Sequence, residues 1–361
     1  MGKQPQPTDT EVPTSASWRG RTRVLLQQAN FRGLRVAAGT VLSMLFLWLA
    51  FRNVPISQIV DAFGRLDWRF MALALGLSVA GTLARAARWK LLYHPDQKNL
   101  NSLRMAKALF ISQMLNIVIP ARLGEVARIQ IMSQFESRSR VLTLGTIVVE
   151  KWLDILALLV IMFLVPISVS LPAWFQDSRK SLVAFVIAFL GVTLLLSYGK
   201  GWLLALLEST FHFLPNLWRA RLQQAVALAL GSLDVLRSPW VGLQLQAWSL
   251  LIWSMGILVN YIVFLILGLS LPFVAALFLL VVLQVGTAVP SVPGKLGIFQ
   301  YLCILALAPF GVGKSSALSY SVLLYLVAVG PVLLLGAFFI WWEGIRGQRV
   351  KSANSQMTRL P

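Results

Sequence analysis

The chain has 361 residues, of which 57% are hydrophobic and only 12% are charged, and its mean hydropathy is +0.74. This composition excludes a soluble globular protein and indicates a polytopic membrane protein. The formal net charge of +19 does not point to nucleic acid as a partner, because the basic residues lie mostly in short connections between apolar segments.

The first 33 residues are polar and basic, and they contain no apolar stretch followed by a signal-peptide cleavage site. We therefore expect 1–33 to be a disordered cytoplasmic tail. Cys303 is the only cysteine, which excludes an intrachain disulfide, and His94 and His212 are too few for a metal site of ordinary spacing. No metal and no cofactor are expected.

Apolar runs long enough to cross a bilayer, about 20 residues in a helix, predict six full crossings. They lie at 34–51, 69–92, 142–170, 181–199, 241–269 and 315–342. Two other apolar segments are cut by proline and resume as short pieces, 105–119 with 124–133 and 272–289 with 297–309. Because such pieces are too short to span, they suit re-entrant hairpins. The predicted fold is all-α, with about six transmembrane helices and two re-entrant helical hairpins.

The 32 Lys and Arg residues predict the orientation, since cytoplasmic loops carry the excess of positive charge. Most of them lie on the side of the two chain ends, and Arg122, Lys151 and Lys295 lie at membrane depth. The opposite side has Arg52, Arg65, Arg69, Arg179, Lys180 and Lys314. We expect a multi-pass protein of the cytoplasmic (inner) membrane with both termini in the cytoplasm. The two hairpins then enter from opposite faces, as an inverted repeat requires.

The charge pattern also divides the chain into parts. The predicted parts are a transmembrane domain over 34–345, with half-repeats at about 34–205 and 238–345, an amphipathic cytoplasmic segment over 206–237 that joins them, and a cytoplasmic tail over 346–361. Within the joining segment, 212–237 has apolar residues at helical spacing. Both an interfacial helix on the membrane and a loop helix packed on protein fit this pattern.

One short motif interrupts the apolar runs twice, as Pro-Ala-Arg-Leu-Gly at 120–124 and as Pro-Gly-Lys-Leu-Gly at 293–297. Proline cannot donate a backbone hydrogen bond, so Pro120 in the first copy, and Pro290 with Pro293 in the second, must break the helix. Two such breaks in the two halves of a membrane protein indicate a site near the middle of the bilayer.

The breaks combine free backbone amides with a cation. Amides at the start of a helix attract anions, and the guanidinium of Arg122 suits a phosphate. We expect a lipid phosphate to be bound by Arg122, Lys295, Gly124, Gly294 and Gly297. The alternatives are a surface ion pair for Arg122 and, for Lys295, a side chain that extends to the outer interface.

One difference between the two copies removes a charge, because Ile298 stands in the second where Glu125 stands in the first. Glu125 is three residues from both Arg122 and Arg128, so its carboxylate could hold both cations. Lys295 is expected to lack such a counter-ion.

A third group of charges, Glu150, Lys151 and Asp154, interrupts the run at 142–170. Glu150 and Asp154 share a helix face, and each charge near the bilayer centre costs about 2.5–3.5 kcal/mol, so cationic partners are expected among Arg122, Arg128 and Lys295. For Glu150 and Asp154, both an ion pair between helices and direct contact with a ligand fit this pattern. Arg85 and Arg88, at a predicted helix end, are interpreted as ordinary positive-inside charges.

These three motifs occur together in one chain: the break with Pro120, Arg122, Gly124, Glu125 and Arg128, the segment with Glu150, Lys151 and Asp154, and the late break with Pro290, Pro293, Gly294 and Gly297. Together they resemble the lysylphosphatidylglycerol synthase transmembrane family, also called the flippase-like domain family, over about 35–345. The resemblance implies a polytopic fold with re-entrant helices. It also implies that the protein translocates or handles phospholipids and lipid-linked headgroups.

Two features depart from the family pattern. Members that make aminoacylated phosphatidylglycerol carry a soluble transferase domain after the membrane half, whereas this chain ends at 361, shortly past its last predicted helix. Lysyl transfer by this chain alone is therefore not expected. The family's glutamate-arginine pair is Glu150-Lys151 here, which keeps the charge but loses bidentate geometry.

The sequence thus predicts a lipid flippase or transporter whose partners are the bilayer and a phospholipid or lipid-linked headgroup, and not nucleic acid. One alternative is a membrane-embedded transferase acting on a lipid phosphate, although no nucleophile lies beside a histidine and no catalytic residue is assigned. Another is an accessory subunit of a lipid or glycolipid synthase. A homo-oligomer and a lipid synthase partner are both left open.

Overall fold

The part of the chain that the structure describes is mostly helical. The computed structural model describes residues 44–52, 66–119, 123–136, 138–164, 238–287 and 293–357, with the single positions 64, 188 and 191, and it gives only the backbone of 293 and 344–357. Residues 44–51 are helical. The helices that follow are α1 (Trp68–Leu91), α2 (Ser102–Val118), α3 (Gly124–Phe135), α4 (Arg140–Leu164), α5 (Pro239–Ile266), α6 (Phe273–Gly286), α7 (Ile298–Leu307) and α8 (Lys314–Met357).

Several predicted features lie outside the described residues. They are the tail 1–33, the first part of the crossing 34–51, nearly all of the crossing 181–199, the joining segment 206–237, and Pro120, Arg122 and Pro290. These features stay predictions.

Local sequence signals fix where the helices begin and end. The carboxylate of Asp67 accepts from the N–H of Arg69 and caps α1, and the amide oxygen of Asn101 accepts from two backbone N–H groups and caps α2. The helix α2 ends at Val118, and Ile119 is extended with φ −103° and ψ 131°. This conformation is the one that a following proline favours, because the proline ring excludes helical backbone at the residue before it.

The helices α2 and α3 form an antiparallel hairpin. Near its tip the N–H of Gly124 donates to Oδ1 of Asn116 at 2.8 Å, and at its open end Arg104 donates to the carbonyl oxygen of Phe135 at 3.0 Å. The sequence predicts this pair as 105–119 with 124–133, close to the observed bounds.

The helices α6 and α7 form a second antiparallel hairpin. Gly286 lies against Leu302 near the tip, where an added Cβ would come within 2.5 Å of a Leu302 methyl group. At the open end the rings of Phe278 and Phe310 lie 6.0 Å apart. The predicted pieces 272–289 and 297–309 correspond to these helices, and the re-entrant insertion of both hairpins stays a prediction.

The described helices fall into two sets of four with the same order: a long helix, a hairpin of two short helices, and another long helix. The first set is α1 to α4 and the second is α5 to α8. Corresponding pairs are in contact in both sets, and two contacts between the sets, α2 with α8 and α1 with α8, have counterparts in α6 with α4 and α5 with α4. This correspondence fits the inverted repeat that the charge count predicts.

The long helix α1 of the first set packs against the long helix α5 of the second set, and the two run antiparallel. Arg88, near the end of α1, donates to the hydroxyl of Ser249 at 2.8 Å, and Arg85, one turn earlier, lies 5.9 Å from the ring of Trp253, one turn later in α5. A two-fold axis that relates an inverted repeat reverses the direction of equivalent helices, as observed for this pair.

Three of the described helices are long and apolar enough to cross a membrane: α1, α5 and the part Lys314–Glu343 of α8. The helix α4 is also long, with 25 residues, but it is not among these three, and it carries Glu150, Lys151 and Asp154 near its middle. The other two predicted crossings lie mostly outside the described residues. The final helix extends to Met357, well into the segment 346–361 that the sequence predicts as a tail.

Candidate functional site

The most deeply buried charge in the described residues is Arg88, whose side chain is 0% exposed. One of its terminal nitrogens lies 2.7 Å from Oδ1 of Asp154 and donates to the hydroxyl of Ser249, and the other lies 3.4 Å from Oε1 of Glu150. A guanidinium can reach three partners in one plane, which an ammonium cannot. Arg88 thus ties α1 to α4 and α5.

Glu150 is shared between two arginines. Its other oxygen, Oε2, accepts from Arg128 of α3 at 2.6 Å, and the side chain of Arg128 is only 5% exposed. The guanidinium carbon of Arg128 lies over the ring of Trp89, 3.5 Å from the ring centroid, a cation–π contact. Arg88, Arg128, Glu150 and Asp154 form a cluster, the buried ion cluster, with two positive and two negative charges.

Neutral side chains hold α1 and α4 in register beside the buried ion cluster. The indole N–H of Trp89 donates to the hydroxyl of Thr146 at 3.1 Å, and the hydroxyl of Tyr93 donates to that of Thr143 at 3.0 Å. All four side chains are buried. The stacking surface for Arg128 is therefore fixed by partners on α4.

The buried ion cluster still has unused donors. Within the described part of the chain, Nε of Arg88 and Nε of Arg128 are buried without a hydrogen-bond acceptor. A buried unpaired N–H of a charged group costs more than a neutral one. These two N–H groups could be satisfied by an anionic ligand or by water.

Glu125 and Lys151 lie outside the buried ion cluster. The ammonium of Lys151, on a side chain that is 57% exposed, is 3.9 Å from Oε1 of Glu125. The sequence pairs Glu125 with Arg122 and Arg128 instead; the structure pairs Arg128 with Glu150, and Arg122 lies outside the described residues. A partner on another helix is preferred here because Trp89 fixes the direction of the Arg128 guanidinium.

At the first break, the Gly124 amide is already in use, since it donates to Asn116. A Cβ on Gly124 would lie 1.9 Å from the carbonyl oxygen of Ser112. The glycine thus permits the closest approach between α2 and α3, a packing role beside the predicted ligand role.

At the second break, the Lys295 ammonium donates to the hydroxyl of Thr287 at 2.9 Å. Lys295 therefore has a neutral hydrogen-bond partner, because the hairpin folds back and brings Thr287 within reach. Lys295 has a φ of +57°, a left-handed backbone that lysine rarely adopts. Strained backbone of this kind is concentrated at functional sites.

Two glycines flank Lys295 and shape this turn. Gly294 has φ +71° and Gly297 has φ +85°, and the N–H of Gly297 donates to Oε1 of Gln300 at 2.7 Å, which caps α7. The carbonyl oxygen of Gly294 accepts from the hydroxyl of Tyr325 in α8 at 2.8 Å.

The tips of the two hairpins are in contact. A Cβ added to Gly294 would lie 3.7 Å from the side chain and from the carbonyl oxygen of Ile117, at the end of α2. The whole turn Pro293–Lys295 packs against α2. The structure thus places the second copy of the repeated motif beside the end of α2, just before the first copy in the sequence.

Replacing Tyr325 with phenylalanine removes the hydroxyl that holds the carbonyl of Gly294. We expect the free energy of unfolding to fall by about 1 kcal/mol, the net value of a typical hydrogen bond. Denaturant unfolding in detergent micelles measures this change. The matched control is Tyr301→Phe, whose ring contacts Phe46, and an equal loss there would contradict the prediction.

Arg88 has a different role from the one that the sequence suggests. Its position near a predicted helix end favours a positive-inside charge, whereas the structure buries its side chain. The sequence does place Arg88 inside the apolar run 69–92, before its end, which is a weak sign of burial. That position alone does not show that α4 and α5 pack against Arg88.

The chain is similar in sequence to a family of membrane proteins. Residues 36–336 match the family described as the lysylphosphatidylglycerol synthase transmembrane region. A UPF0104 membrane protein of Pyrococcus horikoshii is 24% identical over 326 residues, covering 85% of this chain and 96% of the relative. A UPF0104 membrane protein of Methanocaldococcus jannaschii is 25% identical over 232 residues, covering 63% of this chain and 93% of the relative. No solved structure matches the chain.

Proposed function

Because the chain belongs to the lysylphosphatidylglycerol synthase transmembrane region family, we propose that it moves phospholipids or lipid-linked headgroups between the leaflets of the cytoplasmic membrane. In this proposal both termini lie in the cytoplasm and the two hairpins are re-entrant. The chain acts as a transporter and not as an enzyme.

The observation that carries the proposal is the contact between the two hairpin tips, Ile117 against Gly294. Transporters built from inverted repeats bind their substrate where discontinuous helices from the two repeats meet, near the bilayer midplane. In the proposed arrangement both copies of the repeated motif lie at this meeting point, and each copy contributes one cation, Arg122 or Lys295.

The chemistry at the tips suits a phosphate. Lys295 donates to the neutral hydroxyl of Thr287, and a phosphate oxygen can take that place with a stronger, charge-assisted bond. The unused Nε of Arg128, one turn after Gly124 in α3, supports an anionic ligand near the first hairpin. Glu125, Glu150 and Asp154 hold the neighbouring cations while no ligand is bound.

Transport is tested by placing the purified protein in liposomes with fluorescent phospholipids and following the loss of inner-leaflet label to an added quencher. We expect Lys295→Ala and Arg122→Ala each to lower the rate about tenfold or more, since a lost charged hydrogen bond costs about 1.5–3 kcal/mol. The matched control is Lys314→Ala, an exposed lysine that donates to the carbonyl oxygen of Arg52.

The outcomes separate the proposed transporter from its rivals. An unchanged rate in both site variants overturns the assigned binding residues. Turnover of a labelled lipid by the wild-type protein overturns the transporter in favour of an enzyme. Absence of both activities until a lipid synthase is added overturns it in favour of an accessory subunit.

A further inference from the structure

A groove of about 510 Å³ lies between the end of α1 and the first half of α5. Its volume falls in the range of ligand pockets. It is lined by Ala87, Lys90, Gln97, Gln244, Trp248 and Leu251, among others. None of these residues belongs to the buried ion cluster or to the hairpin tips.

The groove lies on the other face of the same two helices that hold Arg88. On α1, Ala87 and Lys90 line it while Arg88 points towards α4; on α5, Trp248 and Leu251 line it while Ser249 accepts from Arg88. Successive positions on a helix differ by about 100° in direction. The groove is therefore separate from the buried ion cluster, although the same two helices form both.

The lining changes from polar to apolar along the groove. Lys90 and Gln97, at and just after the end of α1, and Gln244, near the start of α5, line one end. Trp248 and Leu251 continue from Gln244 along α5, so the apolar end lies about 10 Å further along the helix. A ligand that fills the groove must have one polar end and one apolar end.

The level of the groove in the membrane can be read from its neighbours. Trp240, 68% exposed, stands at the start of α5, where tryptophans mark the membrane–water interface. Leu243 and Leu251, exposed on the same helix, suit contact with acyl chains. The polar end of the groove thus lies at the level of lipid headgroups and the apolar end at the level of the chains.

The polar end favours an anionic headgroup that also offers a donor. The ammonium of Lys90 donates to the hydroxyl of Ser102 at 2.9 Å and keeps further donors. Within the described residues, Oε1 of Gln97 is buried and accepts no hydrogen bond. Basic pockets between membrane helices bind anionic headgroups, and a hydroxyl or amine in such a headgroup would satisfy Gln97.

We propose that this groove binds one anionic phospholipid, with its phosphate at Lys90, its headgroup donor at Gln97 and an acyl chain along Trp248 and Leu251. The proposal does not rest on transport. The groove binds its lipid whether or not the chain moves lipid at the hairpin tips.

The test is native mass spectrometry of the full chain in detergent micelles, titrated with phosphatidylglycerol or phosphatidylcholine. We expect phosphatidylglycerol to bind about tenfold more tightly, because phosphatidylcholine has no net negative charge and no donor in its headgroup. Lys90→Gln should weaken phosphatidylglycerol binding about tenfold. Ala247→Phe, which fills the groove from another lining position, should abolish the tight binding.

Two controls isolate the groove. Lys98→Gln removes an exposed lysine two residues past Asp96 that does not line the groove, and Ser102→Ala removes the hydroxyl partner of Lys90 but keeps the ammonium. Both should bind within about twofold of wild type, and a thermal unfolding scan shows that each variant is folded.

The proposal is overturned if Lys90→Gln binds like Lys98→Gln, if a folded Ala247→Phe protein retains tight binding, or if inorganic phosphate alone binds as tightly as the lipid. It is also overturned if the full wild-type chain binds no lipid tightly, which would mean that another segment of the chain fills the groove. Because the assay measures binding in micelles, none of these results depends on the transport activity.

Discussion

Replacing Arg88 with methionine is expected to lower the free energy of unfolding by about 3–5 kcal/mol. Methionine fits the length of the side chain but removes the charge that faces Asp154 at 2.7 Å and Glu150 at 3.4 Å. Arg128 would then be the one cation left in the buried ion cluster for two carboxylates, the buried Glu150 and the half-buried Asp154. Reversible unfolding in mixed micelles, followed by tryptophan fluorescence, measures the loss.

The matched control is Arg104→Ala. Arg104 also forms an ion pair, 3.3 Å from Glu136, but its side chain is 54% exposed. Exposed ion pairs contribute about 1 kcal/mol or less, so this variant should be near wild type. Equal losses at Arg88 and Arg104 would show that the buried ion cluster does not carry the stability assigned to it.

A double variant, Arg88→Met with Asp154→Asn, tests the cause of the loss. It removes one charge of each sign and leaves the Arg128–Glu150 pair, at 2.6 Å, as a neutral unit. If uncompensated charge is the cause, the double variant is more stable than Arg88→Met alone. If lost packing is the cause, it is no more stable.

Adding a single methyl group at Gly124 is expected to open the first hairpin. The Cβ of Gly124→Ala would lie 1.9 Å from the carbonyl oxygen of Ser112 and 2.6 Å from Oδ1 of Asn116. The two helices must separate, at about 1–3 kcal/mol for overpacking and about 1 kcal/mol for the lost bond between Asn116 and the Gly124 amide. The expected loss is about 2–4 kcal/mol in the same unfolding measurement.

Gly81→Ala is the control for this variant, since it adds the same methyl group within a helix where nothing lies within 4 Å. It should be neutral or slightly stabilising, because alanine favours helix more than glycine does. A similar loss at Gly81 would mean that any added methyl group in this protein is harmful and that the α2–α3 approach is not special.

Much of the fold could be predicted because its signals are local. Apolar length predicts α1, α5 and the apolar part Lys314–Glu343 of α8 within a few residues, and the breaks at Pro120 and Pro293 predict both hairpins. Lipid makes these signals strong, since a backbone in a bilayer must satisfy its own hydrogen bonds. The pairing of Arg128 with Glu150 was also among the expected partnerships.

The remaining contacts depend on which helices meet, which local patterns do not encode. In the sequence, Arg88 resembles a charge at the end of a transmembrane helix. It is buried only because α4 and α5 pack against it. Glu125 has suitable spacing for Arg128, yet Trp89 directs that arginine towards Glu150. Thr287 reaches Lys295 only because the hairpin folds back.

The position of Arg88 has a mechanical consequence. Its two ion pairs, with Glu150 and Asp154, stay inside the first four helices, and only a bond to a neutral hydroxyl, that of Ser249, connects it to the second four. Among the ion pairs of the described residues, Lys107–Glu343 alone joins the two sets. Within the described residues, buried ion pairs brace the first set, whereas apolar packing and hydrogen bonds of neutral groups, such as Tyr320 with Asn260, hold the second. A displacement of α5 along α1 would therefore separate no buried ion pair.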